Sequence, residues 1–197
     1  MIKKCIKLLG FAFLSLFAFL STASAGNSSE LRSWNYNVTD LNGNPITIST
    51  FINKVTVVTF STKESSGTAM RLGLEIGQKF GHRPNYQSLA IPNTSNVPFW
   101  AKFIANRKVA GFQQKAVDKA LRGQQTVGYH MTEEEVRRKI IFVHDKNGEI
   151  WQHLGVDRHS IATYVGVINK SGNLVYIAED PVNMRQLFQK IEEEFQK

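Results

Sequence analysis

The sequence has 197 residues, a formal net charge of +8 and one cysteine, Cys5. That length suits one well-buried domain and is marginal for two. A lone cysteine excludes an internal disulfide and any pair of thiolates for redox chemistry or metal ligation.

The first 25 residues have the pattern of a secretory signal peptide. Lys3, Lys4 and Lys7 precede a short apolar run from Leu8 to Leu20, and Ala23-Ser24-Ala25 offers small residues for cleavage before Gly26. The competing reading is an uncleaved anchor, but the run falls well short of the ~20 apolar residues that span a bilayer core. Cys5 lies before the apolar run and not at a cleavage point, which argues against lipoprotein acylation. The expected organisation is a signal peptide over 1–25 and a single domain over 26–197, without a membrane span. Cleavage removes three lysines and no acid, so the charge falls from +8 to +5, and it leaves no cysteine at all. The expected location is the periplasm, with secretion as the alternative.

Residues 26–33 are polar and read as loose. "WNYNVTDLNGNPITISTF" carries the turn signal NGNP between apolar residues and predicts an N-terminal hairpin. "VTVVTF" (Val55 to Phe60) is β-branched and nearly continuous, as in a central strand covered on both faces. After the polar junction "STKESSGT", Ala69, Met70, Gly73, Leu74, Ile76, Gly77 and Phe80 recur at helical spacing, with Gly81 as the C-cap. "YQSLAIPN" (Tyr86 to Asn93) predicts a second strand.

Residues 97–123 predict one or two helices, with Gly111 as a break and an apolar stripe that includes Phe99, Trp100, Phe103, Ile104, Val109, Phe112, Ala116 and Ala120. Between Lys102 and Arg122 six bases face one acid, Asp118. This reads as a solvated helical face, with an anionic partner as the alternative. The aromatics there are better explained as core than as base-stacking platforms, so no nucleic-acid partner is expected.

Thr132 and Glu135 form a capping box. "KIIFVHD" predicts a strand running into the turn DKNG, "EIWQHLGV" a short helix, and "TYVGVINKSGNLVYIAE" a hairpin. Pro181 is expected to start the last helix, with Asp180 as its cap. The order of elements describes a three-layer α/β domain with a mixed sheet.

Strand, polar turn, helix, strand and helix, followed by "IFVHDKNGEIWQHLGV" and the hairpin "TYVGVINKSGNLVYIAE" with a terminal helix, resemble the thioredoxin-like fold. The closest branch is that of the peroxiredoxin and TlpA-like proteins. The chain is also similar to small cysteine-free periplasmic proteins of the YtfJ type, which share the strand end seen from Tyr86 to Thr94. The resemblance implies that Ser65-Ser66-Gly67-Thr68 stands where the family carries Cys-x-x-Cys, and that Thr163 stands where it carries a cis-proline.

The family places thiols there because the positive end of a helix stabilises a thiolate. A serine hydroxyl starts far higher in pKa and needs a neighbouring base. Lys63 and Glu64 are the only local candidates, so Ser65 or Ser66 is expected to act as a helix N-cap. Both halves of the family's redox site are altered, which implies loss of thiol–disulfide and peroxidase activity.

His82, His130, His144, His153 and His159, with Asp157, are the remaining metal-ligating candidates, and they form no HExxH or His-x-His pattern. His144 is expected to bond to the DKNG turn. No phosphate-binding glycine loop is present, and no metal or cofactor is implied. The favoured expectation is an exported, non-redox protein that binds a protein, peptide or envelope component. Its face would comprise Ser61, Thr62, Lys63, Glu64, Ser65 to Thr68 and the loop before Thr163. The alternative is a non-thiol enzyme, or a carrier of a small ligand or metal, that uses the same face.

Overall fold

The structure is a computed structural model that describes residues 32–95, 97 and 102–197. The expected signal peptide, Phe99, Trp100, and the side chains of Phe103 and Ile104 lie outside the described residues. Residues 31–197 cluster as one compact unit.

The sheet is built around β4 (Val55–Ser61), whose seven residues are all buried. Its neighbours are β5 (Tyr86–Pro92), which runs parallel to it, and β7 (Tyr164–Ile168), which runs antiparallel. Outward from β5 lies β6 (Ile140–Phe142), also parallel. Outward from β7 lie β8 (Asn173–Glu179) and then β1 (Arg32–Ser33), both antiparallel. The six-stranded order is β1-β8-β7-β4-β5-β6, a mixed sheet as expected. Arg32 and Ser33, read as loose from the sequence, pair with Leu174 and Asn173. The N-terminal hairpin forms as predicted, with β2 (Val38–Thr39) against β3 (Pro45–Ile46) in a separate two-stranded sheet.

Alternation along β4 explains why a nearly continuous apolar run is needed there. Val55 and Val57 pack with Leu72, Ile76 and Phe80 of α1 (Ser66–Phe80) and with Leu187 and Ile191 of α5 (Met184–Gln196). Val58 and Phe60 point to the other face, against Trp34, Phe51, and Trp151 of α4 (Glu149–His153). With both faces covered, every side chain of the strand leaves water, and each fully buried Val or Phe contributes about 1.5–3 kcal/mol of transfer free energy. Val109 and Ala116 of α2 (Lys102–Val127) join Phe142 in a third apolar cluster.

Local chemistry sets the element ends. The buried Asp145 accepts the N–H groups of Glu149 at 3.1 Å and Trp151 at 3.0 Å, which starts α4 after Gly148 at φ +74°. The Trp151 indole donates to the Ile91 carbonyl at 2.9 Å and ties α4 to the end of β5. Thr132 and Glu135 form the predicted capping box at the start of α3 (Glu133–Lys139).

Two local expectations are corrected. Helix α2 passes through Gly111 without a break, because that glycine lies on the exposed side with open space around it. The last helix starts at Met184, and its cap is Asn183, whose side chain accepts from the Gln186 N–H at 3.2 Å. Asp180 instead donates its N–H to the Thr163 carbonyl at 2.9 Å. Gly81 occupies the C-cap of α1 as expected, at φ −59°, so room and not left-handed backbone is what it supplies: a Cβ there would collide with the Gly77 carbonyl. His144, at the strand end beside the turn, also meets the Thr94 hydroxyl through its Nε2. Among the described residues no helix is long and apolar enough to cross a membrane.

Candidate functional site

The junction between β4 and α1 carries most of the residues singled out from the sequence. Ser61 and Thr62 are buried at the strand end, Lys63, Glu64 and Gly67 are exposed, and Ser65, Ser66 and Thr68 are half-buried. The loop before β7 comes up against this junction from the opposite direction. Thr163 is buried, and its hydroxyl donates to the Ser65 carbonyl at 3.1 Å. Ser65 Oγ lies 3.5 Å from the Ala162 carbonyl. Residues separated by nearly a hundred positions therefore share one hydrogen-bonded corner.

Ser65 occupies the N-cap position of α1, but its hydroxyl does not cap the helix. At φ −97° and ψ 3° the side chain turns back and accepts the Thr62 N–H at 3.0 Å. Ser66 Oγ donates to the Lys63 carbonyl at 2.8 Å. The two hydroxyls expected as caps thus close the preceding turn. The contacts of Ser65 Oγ are to the Thr62 N–H, the Thr62 hydroxyl and the Ala162 carbonyl, and none of these is a base. A hydroxyl so placed remains a weak nucleophile. Glu64 is held below the ordinary carboxylate range by backbone hydrogen bonding at its own residue and by the Thr62 hydroxyl.

The histidines are spread over the molecule. His153 meets the Ser33 carbonyl at 3.1 Å and the Tyr36 ring, His159 accepts from Arg158 at 3.1 Å, and His82 lies against Tyr129. The Asp157 carboxylate is occupied by the His159 N–H at 2.9 Å. Among the described residues no three His, Cys, Asp or Glu side chains converge as metal ligands.

A second concavity lies beside the junction. A groove of 260 Å³ runs between α1 and α2 over the face of the sheet that carries Thr59, Ser88 and Ala90. On α1 its wall follows Ser66, Met70, Gly73, Gly77 and Gly81, one helical face for the whole length of the helix. At 1.5 Å per residue that wall is about 22 Å long. Ser61, Thr62, Lys63 and Glu64 line one end, whereas Ser65, Thr68 and Thr163 do not contribute. Sequence reasoning missed this groove. Its visible sign is the recurrence of Gly73, Gly77 and Gly81 at intervals of four inside a helical pattern.

No protein-family model and no curated protein sequence matches the chain. Among solved structures it is similar to a thioredoxin-type protein from Neisseria meningitidis, at 14% identity and a TM-score of 0.55, covering 85% of this chain and 91% of that one. It is similar to the exposed lipoprotein thioredoxin of Streptococcus pneumoniae, at 13% identity and a TM-score of 0.53, covering 80% and 98%. A DsbF homologue from Corynebacterium diphtheriae aligns at 10% identity and a TM-score of 0.53, covering 85% and 89%. At these identities the likeness establishes the fold, which is thioredoxin-like with a six-stranded mixed sheet and a separate hairpin. The single cysteine means that the two-thiol motif is absent.

Proposed function

We propose that this thioredoxin-like chain is an exported, non-redox binding protein that docks a protein or peptide of the cell envelope at the corner where Ser65 meets Thr163. The observation that carries the reading is Ile161. It is 66% exposed, the most exposed large apolar side chain among the described residues, and stands one residue from Ala162, whose carbonyl faces Ser65 Oγ. An isoleucine in water beside a corner fixed by hydrogen bonds has the character of an interface anchor surrounded by a polar rim. Lys63, Glu64 and Gly67, exposed on the turn that leads into and out of Ser65, are the residues assigned to that rim. Export is supported by the Lys3–Ala25 pattern.

A photo-crosslinking residue in place of Ile161 is expected to capture one discrete partner in native cells, and the same residue in place of Glu193 is expected to capture none. Lys63→Glu in the Ile161-labelled chain should reduce the yield. Equal capture at both positions, or none at Ile161, would sink the reading. Intact mass of the envelope-fraction protein should begin at Gly26, and a chain that retains Lys3 would overturn the export claim.

A further inference from the structure

Residues 157–163 lead from α4 into β7 and end at the corner, and hydrogen bonds hold most of this loop in place. The Asp157 carbonyl accepts the Ser160 N–H at 3.0 Å, and the Asp157 carboxylate accepts the His159 N–H at 2.9 Å. Arg158 and His159 therefore occupy the middle of a tight turn. Ser160 Oγ accepts the Ala162 N–H at 3.1 Å and the Tyr164 hydroxyl at 3.2 Å. The long side chains that this loop leaves exposed are Arg158, His159 and Ile161.

Arg158 is pinned at three points. Its carbonyl accepts the side-chain N–H of the buried Asn93 at 2.8 Å. The backbone N–H of Asn93 donates in turn to the carbonyl of Ser61, the last residue of β4, at 2.9 Å. Two hydrogen bonds through one asparagine thus join Arg158 to the strand end that opens into the Ser65 corner. The stem of Arg158 lies across Gly148, where an added Cβ would stand 2.7 Å from Arg158 Cβ and 3.4 Å from its Cδ. Its Nε donates to His159 Nε2 at 3.1 Å.

The Nη end of the guanidinium is left over. Among the described residues Arg158 forms no ion pair, although Asp157 is its chain neighbour, because that carboxylate is turned to the His159 N–H. A guanidinium with a fixed stem and a fixed Nε presents its two-pronged end in one orientation. The group that matches two parallel N–H donors is a planar carboxylate. The surrounding charges narrow the class further. Lys63 and Arg158 are exposed, and so are Glu64 and Asp157, two cations against two carboxylates. Such a mixed rim gives a phosphate-rich or membrane surface no net attraction, but it admits one carboxylate aimed at one guanidinium.

Resting on the docking reading above, we propose that the segment docked at the corner carries an aspartate or glutamate beside an apolar residue. Ile161 takes the apolar side chain, and the Nη end of Arg158 takes the carboxylate. A single exposed ion pair supplies specificity more than affinity, so Arg158 selects among apolar segments that Ile161 alone would accept alike. With Asn93, Gly148 and His159 already holding the arginine, little of the pair's free energy is spent on ordering it.

Selection of a phage-displayed random heptapeptide library on the purified protein tests it. Selected sequences are expected to hold Asp or Glu next to an apolar residue, and selection on Arg158→Gln should lose the acid and keep the apolar residue. For one selected peptide, fluorescence polarisation should give about fivefold weaker binding when its acid is replaced by the amide, the upper end for an exposed pair. Arg158→Gln should lose the same factor with the acidic peptide, and combining the two changes should lose no more. Arg158→Lys, which keeps the charge without the fork, should recover only part. The change in the peptide needs no variant protein, so it decides even where Arg158→Gln disturbs the loop. Ile161→Ser separates the two claims. Peptides that need Ile161 but hold no acid, or whose acid matters equally in Arg158→Gln, overturn the carboxylate and leave the docking corner standing. Peptides bound equally by Ile161→Ser, or no selected sequence at all, overturn both.

Discussion

The Thr163 hydroxyl donates to the carbonyl of Ser65 at 3.1 Å and joins the loop before β7 to the first residue of the α1 N-terminus. The same carbonyl accepts the Ala69 N–H at 3.1 Å, so it serves both the helix and the long-range contact. Thr163→Val preserves shape and removes only the hydroxyl. Because Ser65 keeps its helical partner, the expected loss is about 0.5–1.5 kcal/mol, not the larger penalty of an orphaned carbonyl. Chemical denaturation should show a lower midpoint at unchanged slope, and an unaltered midpoint would mean that the contact contributes nothing.

A thiol introduced by Ser65→Cys would stand at the positive end of a fifteen-residue helix. Its pKa should fall below the ~8.5 of a free cysteine. Iodoacetamide reactivity followed against pH measures this directly, with Ser171→Cys, in the exposed turn between β7 and β8, as the reference. Equal midpoints at the two positions would show that the helix end does not activate position 65.

The two candidate caps of α5 make opposite predictions. Asn183→Ala removes the side chain that accepts the Gln186 N–H and should cost about 1 kcal/mol. Asp180→Ala removes only an exposed contact to Arg71 at 3.7 Å and should change stability by a few tenths. Thermal melts of the two variants separate them.

Glu135 accepts the Thr132 N–H at 2.7 Å, and this hydrogen bond, with the Thr132 hydroxyl, holds its carboxyl below the ordinary range. A depressed folded-state pKa means that the contribution is complete above the unfolded value of about 4.3 and is lost as pH falls through the folded one. Glu135→Gln should therefore show a shallower fall in stability below about pH 4.3 than the parent. Identical slopes would mean that the capping box is insensitive to protonation.

The elements were legible where side-chain pattern alone decides them. β4 announces itself because burial on both faces demands Val55, Val57, Val58 and Phe60 without interruption. The Thr132 box is legible because both halves of it are side chains at a fixed spacing. Asn183 was hidden by Asp180-Pro181, a better helix-start signal in isolation, because Asp180's N–H is taken by Thr163 in another part of the chain. Ser65 shows the same limit at the candidate site. Whether its hydroxyl caps the next turn or closes the previous one depends on ψ near 3°, which residue type does not specify. The groove was harder still, since a hollow is written only as missing side chains at Gly73 and Gly77.

The burial of β4 along its full length also bears on how the corner at Ser65 behaves. A strand paired on both edges and covered on both faces opens only with the whole domain, so its amides belong among the slowest to exchange. Ser61 is the last residue of that strand, and Ser65 follows after one tight turn. A partner that docks at this corner meets a surface already fixed in place and spends little of its binding free energy on ordering it.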